Sequence, residues 1–296
     1  GITDLLLLLG LSAIWGSSFI FIRYLAPLIG PVATADFRML LAGAALVLVF
    51  LAIRFASEWK KNWPHFLVIG VLNSAVPFAL YSIAALYLPA AMEAIFNSMS
   101  PMFGALFAAL WLGEKLTLPK IAGLVLGIAG VVVMSSLGNL PATLQTSFAV
   151  LACLLAPMCY GLAGVYIKKR AAGAKPLAIA GGSQLLGGLA LMPFLLVSPL
   201  HVSALSTRVI LLVVVFALLC SALAYVIYYK LIADVGPTRA LTVTFLIPVF
   251  AMLWGALLIR ERVTLSMAAG ALIILAGTFL VTAPRRKPAL RAQSAG

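Results

Sequence analysis

The sequence predicts an all-α membrane protein of ten transmembrane helices, arranged as two inverted five-helix repeats. Three observations predict this fold. Of the 296 residues, 64 % are hydrophobic and only 9 % are charged. Apolar runs of helix length recur along the chain, and one ten-residue stretch occurs twice in similar form. A soluble domain carries about a quarter charged residues, so a chain this apolar needs lipid as its solvent.

Ten apolar runs approach the length of about 20 residues with which a helix crosses a bilayer. They are rich in Leu and Ala, which favour helix, and a helix satisfies its own backbone hydrogen bonds in lipid. The first run begins at Leu5 with no basic residue before it, which indicates a retained helix and not a removable signal. The predicted spans are 4–23, 34–53, 66–87, 91–112, 117–136, 147–167, 177–197, 208–229, 238–259 and 264–283.

The net charge of +13 has a topological explanation. If the N-terminus is cytoplasmic, the inside connections hold 15 of the 20 Lys and Arg residues and the outside connections hold four, with Arg38 inside the second span. The positive-inside rule therefore predicts that both termini are cytoplasmic. The basic residues form no interleaved patch, so we expect no nucleic-acid partner.

The repeated stretch has the sequence AALWLGEKLT at 108–117 and GALLIRERVT at 255–264. At a constant offset of 147 residues, the stretches 101–130 and 248–277 share 12 identities in 30, where chance gives about a tenth. Because five spans separate the copies, the second copy enters the membrane upside down, an arrangement common in carriers. The predicted units are a first repeat at 1–140, a second repeat at 141–284, and a basic, disordered cytoplasmic tail at 285–296.

The chain resembles the EamA branch of the drug/metabolite transporter superfamily. The resemblance rests on IWGSSFIFIR at 14–23, FRMLLAG at 37–43, and the P…LWLGEKLT…G…G stretch at 101–130 with its later copy. The resemblance implies a bacterial inner-membrane protein of ten helices, with a central cavity between its halves, that exports small metabolites or drugs. Within the family, the chain is most similar to the bacterial exporters of aromatic and other amino acids. The chain departs from the family at Arg260, which replaces the glycine found at Gly113.

Prolines inside the spans indicate where a cavity lies. A proline frees the carbonyl four residues before it, and a free carbonyl in hydrocarbon must face protein, water or cargo. A kink whose carbonyl is paired by a neighbouring helix is the alternative. The helix-kinking prolines and the residues whose carbonyls they free are Pro77 with Asn73, Pro101 with Asn97, and Pro248 with Thr244.

Aromatic side chains deep in the spans are the second group expected at the cavity, although ordinary packing would use the same residues. Asn73, Pro77 and Tyr81 are spaced by four and share a helix face. Trp59, Trp63 and Tyr87 are interpreted instead as interface anchors. The predicted substrate-binding residues are Trp15, Asn73, Phe78, Tyr81, Asn97, Tyr160, Tyr225, Tyr228 and Thr244.

Charged residues are few within the spans, and no carboxylate of the kind kept by proton-coupled drug pumps is predicted at mid-depth. Asp36, Arg38 and Glu93 are expected near the outer ends of their helices, where they form a structural ion pair or an outer gate. The three cysteines have no CxxC spacing, and no HExxH zinc motif is present. We therefore expect no metal, no cofactor and no enzymatic activity.

The resulting hypothesis is a secondary transporter whose partners are a small-molecule substrate and the lipid bilayer. The expected cargo is a small uncharged or zwitterionic metabolite, such as an aromatic or apolar amino acid, and transport is expected to proceed by alternating access. A multidrug or organic-cation exporter of the same fold is the main alternative. A membrane-embedded enzyme lacks a recognisable motif, and a channel would carry charge rings or carbonyl filters. The sequence does not indicate the oligomeric state, the coupling ion or the direction of net transport.

We expect a cysteine introduced at Asn139, in a chain freed of its native cysteines, to react with an impermeant maleimide in intact cells. The connection between the fifth and sixth spans is predicted to be external, because the basic residues lie on the opposite face. A cysteine at Gly173, in a predicted internal connection, should react only after lysis. The reverse pattern of labelling would contradict the predicted orientation.

Overall fold

The computed structural model describes residues 1–137, 141, 143–198, 200–240 and 242–283, and within these ranges it has helices and no strand. The all-α membrane fold predicted from the sequence is confirmed. Asn139 and the predicted tail at 285–296 lie outside the described residues. The ten apolar helices are α1 Ile2–Ile29, α2 Pro31–Ala52, α3 Trp59–Ala84, α4 Ala90–Leu112, α5 Leu118–Leu137, α6 Leu144–Arg170, α7 Pro176–Leu196, α8 Thr207–Val235, α9 Val243–Leu258 and α10 Leu265–Thr282.

Nine of these described helices are long and apolar enough to cross a membrane, and α9 is shorter. Its 16 residues extend about 24 Å, which is less than the ~30 Å of hydrocarbon. The predicted span 238–259 is therefore not one continuous helix. A separate helical turn at Pro237–Ala240 precedes α9.

Several of the described helices are irregular where the sequence placed single spans, and α7 ends in a 3-10 turn at Met192–Leu196. A π-turn at Val71–Ala75 interrupts α3 just before Pro77, and a second π-turn at Leu218–Leu223 interrupts α8. Helix α4 breaks between Ala90–Asn97 and Ser100–Leu112. In α3 and α4 a proline follows, Pro77 and Pro101, and a rewound or broken turn before it relieves the clash of its ring with the preceding turn. The π-turn in α8 has no proline in the helix to explain it.

The first and second halves of the chain interlock. The six most extensive helix contacts each join one helix from residues 1–137 to one from residues 144–282. Neither half therefore packs as a bundle on its own, and side chains from both halves meet along the centre of the molecule. The pairs in contact are α5 with α10, α2 with α7, α1 with α9, α3 with α7, α4 with α6, and α3 with α6.

Glycines bring two of these pairs into backbone contact. A Cβ atom added to Gly43 on α2 would lie 2.6 Å from the Cα atom of Leu185 on α7. A Cβ atom added to Gly123 on α5 would lie 2.5 Å from the carbonyl oxygen of Gly277 on α10. Small residues allow such close approach between membrane helices, where van der Waals packing holds the bundle together.

We expect Gly43→Ala to lower the melting temperature of the detergent-solubilised protein, measured by thermal unfolding of intrinsic fluorescence. The added methyl group meets backbone atoms that cannot move away, and overpacking of this kind costs about 1–3 kcal/mol. Gly10→Ala is the matched control, because Gly10 lies on α1 with no neighbouring atom within 4 Å of an added Cβ. An equal loss in both variants would contradict the close contact of α2 with α7.

Candidate functional site

A cavity of about 620 Å³ lies between the two halves of the chain. All nine side chains that the sequence predicted to bind substrate line it. Of the three kink prolines, Pro101 lines it, whereas Pro77 and Pro248 are buried in the bundle. The nine lining residues are Trp15, Asn73, Phe78, Tyr81, Asn97, Tyr160, Tyr225, Tyr228 and Thr244.

Aromatic rings from several helices line this cavity. The ring of Trp15 on α1 lies 5.2 Å from that of Tyr228 and 6.2 Å from that of Tyr225, both on α8. On the other side, the ring of Tyr81 on α3 is 6.5 Å from the ring of Tyr160 on α6. Walls of this kind suit a flat, apolar group, because aromatic pairs prefer centroid separations of about 4.5–7 Å.

Amide and hydroxyl groups interrupt the aromatic wall. The Tyr81 hydroxyl donates a hydrogen bond of 3.3 Å to Oδ1 of Asn97, and Nδ2 of Asn73 lies 3.5 Å from the Tyr225 hydroxyl, to which it donates. Both bonds join one helix segment to another across the cavity wall. A few fixed polar groups in an apolar wall are the usual composition of a small-molecule site.

The carbonyl of Asn97 is already paired. It accepts a hydrogen bond of 2.6 Å from the Ser100 hydroxyl, and the next carbonyl, that of Ser98, accepts one of 2.9 Å from Thr278 on α10. The polar groups that α4 offers to the cavity are therefore side chains. Of the partners that the sequence left open for the Asn97 carbonyl, the structure shows a protein group, the Ser100 hydroxyl.

The three residues expected to form an ion pair or gate do not pair with one another. Asp36 and Glu93 are fully buried, and their carboxylate oxygens accept no hydrogen bond from the described residues. Arg38 lines the cavity and bonds to Ser221 instead. Residues two apart on a helix point in different directions, which separates Asp36 from Arg38.

A different ion pair lies beyond one end of the cavity. Nε of Arg23 is 3.7 Å from Oε1 of Glu261, and Glu261 also accepts hydrogen bonds from the backbone N–H groups of Ala90, at 3.0 Å, and Ala91, at 3.5 Å. An acidic side chain at a helix N-terminus is stabilised by the unpaired N–H groups there. Arg23 in turn donates to the carbonyl of Ala85.

The Arg23–Glu261 pair thus ties α1, the start of α4 and the connection between α9 and α10. It faces a second hollow of about 340 Å³. Sequence reasoning did not assign a gating role to either residue, although each stands in a quoted motif: Arg23 ends the IWGSSFIFIR stretch, and Glu261 is the acid in the second copy of the repeated stretch.

The lining of the large cavity continues to the opposite end of the bundle, where Glu114, Lys120 and Lys168 lie. Lys168 donates to Glu114 at 2.8 Å, and Lys120 donates at 3.5 Å. These hydrogen bonds, above all the one from Lys168, hold the pKa of the Glu114 carboxyl below its usual range. Because the Lys168 side chain is 68 % exposed, solvent reaches the cavity at this end.

The family comparison agrees with this architecture. The EamA-like transporter family matches residues 2–136 and, separately, residues 147–283. The chain belongs to the EamA-like transporter family. As such it is a multi-pass membrane transporter within the drug/metabolite transporter superfamily.

Several relatives span nearly the whole of this EamA-like protein. An uncharacterized transporter, YvbV of Bacillus subtilis, is 29 % identical over 93 % of this chain and 90 % of its own length. A probable terminal-alkyne amino-acid exporter of Streptantibioticus cattleyicolor is 25 % identical over 93 % of both chains. One solved crystal structure, 18 % identical, covers 94 % of this chain and 96 % of its own with a TM-score of 0.67, which shows the same fold.

Metal ligands are not grouped in the described part of this transporter. Within those ranges, no three His, Cys, Asp or Glu side chains lie close enough together to hold a metal ion. The two histidines have other contacts: Nδ1 of His65 lies 3.0 Å from the Tyr166 hydroxyl, and Nδ1 of His201 lies 3.2 Å from the Leu28 carbonyl oxygen. The chemistry of the cavity is thus that of aromatic, amide and guanidinium groups.

We expect Glu261→Ala to open the closed end of the cavity. A cysteine at Ser18, which lines the cavity, serves as reporter in a chain freed of its native cysteines. An impermeant maleimide applied to the face that carries Glu261 should label it several-fold faster, because the ion pair and the helix cap are both lost. Glu114→Ala, the matched change at the other end, should not raise labelling from that face. Unchanged labelling in the Glu261 variant would show that this pair does not close the cavity.

Proposed function

We propose that this EamA-like protein is a secondary transporter that exports small amino-acid-like metabolites by alternating access. The observation that carries the proposal is one cavity with aromatic and amide walls that reaches solvent at Glu114 and ends below the Arg23–Glu261 pair at the other face. A carrier needs a central site that is open to one side at a time.

The two halves are proposed to be inverted repeats, each a five-helix unit, with the boundary near residue 140. The family matches each half separately. Equivalent contacts also occur at the expected offsets: the Gly43–Leu185 contact shifted by 145 becomes the contact of Gly188 with Leu40. Gly113 and Arg260, which are 147 residues apart, share a left-handed backbone with φ of 70° and 56°.

Equivalent charges support an exchange of roles between the two faces. Shifted by 145 and 147 residues respectively, Arg23 becomes Lys168 and Glu261 becomes Glu114. The Arg23–Glu261 pair caps the start of α4, whereas Glu114 pairs with lysines in solvent at the open end. In the opposite state, Glu114 would cap the helical turn at Pro237–Ala240, and Glu261 would release α4.

The open face is proposed to be the cytoplasmic one. It carries Lys120 and Lys168, and the excess of basic residues on that side follows the positive-inside rule. Such a state accepts cargo from inside the cell, in agreement with an exporter of the bacterial inner membrane with both termini cytoplasmic. An enzymatic role for the protein is not supported, because the family that the chain matches is one of transporters.

The cargo class follows from the cavity walls. Trp15, Tyr81, Tyr160 and Tyr228 offer an aromatic surface, and Asn97 offers an amide. One relative is named as an amino-acid exporter, which supports the same class here. An organic-cation exporter is less well supported, since the one acid among the described lining residues is Glu114, which is already paired with two lysines at the mouth.

We expect proteoliposomes that contain the purified protein to take up labelled L-phenylalanine in a saturable manner and to show trans-stimulation by unlabelled L-phenylalanine. Tyr81→Phe and Asn97→Ala should each lower counterflow by about twofold to tenfold, because each removes one hydrogen-bonding group from the wall.

Tyr87→Phe is the matched control, since Tyr87 is exposed on the outer surface, 45 % accessible, and should transport as the wild type does. Non-saturating flux without trans-stimulation would indicate a pore. Normal counterflow in both wall variants would remove these residues from the binding site.

A further inference from the structure

Arg38 on α2 is a buried cation at the wall of the cavity. Its side chain is 5 % exposed, and it lines the same space as the aromatic residues. The guanidinium lies between two rings, with its carbon atom 3.9 Å from the centroid of Phe78 and 4.6 Å from that of Phe216. These rings hold the guanidinium plane in place through cation–π contacts.

Only part of the hydrogen-bonding capacity of Arg38 is used. A guanidinium carries five N–H donors in a planar fork. Nε donates to the Ser221 hydroxyl at 2.7 Å, and Nη2 donates to the carbonyl of Cys220 at 3.3 Å. Nη1 donates to none of the described residues. One edge of the fork is thus tied to α8, and the other edge is left for a partner in the cavity.

The charge of Arg38 also lacks an anion. The ion pairs among the described residues lie elsewhere, on Asp4, Glu114, Asp234 and Glu261. Asp36, two residues before Arg38, has no hydrogen-bond partner at either carboxylate oxygen. A buried charge without a counter-ion is costly and is normally paired. A negatively charged group in the cavity would therefore stabilise the Arg38 guanidinium.

We infer that Arg38 recognises a carboxylate of the transported molecule, so that the substrates are aromatic or apolar carboxylic acids, amino acids included. The inference rests on the proposed function. The free edge of the guanidinium receives the carboxylate oxygens in the two-pronged geometry that Arg favours. The apolar part of the cargo then lies against Trp15, Tyr225 and Tyr228, which line the same cavity.

This assignment also predicts selection against cations. Among the described lining residues the sole acid is Glu114, at the mouth, where it is neutralised by Lys120 and Lys168. Deeper in the cavity the one formal charge is that of Arg38. A cationic cargo would meet this charge in a low-dielectric wall, where repulsion is much stronger than in water.

The test compares three probes of similar shape that differ in charge: 3-phenylpropionate, its neutral amide, and the cation 2-phenylethylammonium. Affinities are measured by isothermal titration of the purified full-length protein in detergent. The wild type should bind the carboxylate at least about tenfold more tightly than the amide, because hydrogen bonds to charged groups contribute more than neutral ones. The cation should bind least well.

Arg38→Gln should bring the affinities for the carboxylate and the amide to within about twofold of each other, and Arg38→Lys should keep part of the preference because it keeps the charge. Arg208→Gln, the same change at an exposed position on α8, should keep the wild-type ratio. Because the readout is a ratio of two probes, a general loss of stability does not imitate the effect.

Equal binding of carboxylate and amide by the wild type would overturn the inference even if Arg38→Gln does not fold. A full preference in Arg38→Gln would overturn it as well. The same proteins assayed for L-phenylalanine counterflow separate the two proposals. A preference for the carboxylate over the amide that depends on Arg38, found without counterflow, would support the carboxylate site and contradict amino-acid transport. Counterflow that is unchanged in Arg38→Gln keeps the transporter and rejects the site.

Discussion

Every backbone N–H and C=O within hydrocarbon must find a partner inside the protein, and the rest of this structure depends on that constraint. Helices satisfy it along most of the chain. Where α4 breaks, the carbonyls of Asn97 and Ser98 are paired by the hydroxyls of Ser100 and Thr278. At this break, polar side chains from α4 and α10 pair the irregular backbone, and Asn97, Ser100 and Pro101 beside it line the cavity.

The same constraint governs the few charges. Glu261 is held by Arg23 and by two backbone N–H groups at the start of α4, so one carboxylate serves an ion pair and a helix end together. Glu114 reaches solvent and two lysines. Arg38 differs from both: aromatic rings and hydrogen bonds along one edge hold its guanidinium, and no carboxylate among the described residues pairs with it. This difference is the basis for our proposals that the paired charges close the ends of the cavity and that Arg38 recognises the cargo.

Much of the candidate site could be predicted because deep polar and aromatic residues in a lipid-solvated helix face inward. Asn73, Tyr81 and Asn97 were selected by spacing and by their position near prolines, and all three line the cavity. Other features could not be predicted. The Arg23–Glu261 pair joins residues more than 200 positions apart. The pairing expected among Asp36, Arg38 and Glu93 is absent, and residues two apart on a helix, such as Asp36 and Arg38, point in different directions.

The sequence by itself determined the need for a lipid environment and the approximate positions of the helices, since composition and local periodicity are properties of neighbouring residues. The repeated stretch is likewise visible in the sequence alone. The sequence also determined the family. Only the tertiary structure decided that helices of one half pack mainly against those of the other, that Arg23 pairs with Glu261, and that Arg38 turns to Ser221 and not to a carboxylate. These features depend on contacts between distant segments, which no local pattern encodes.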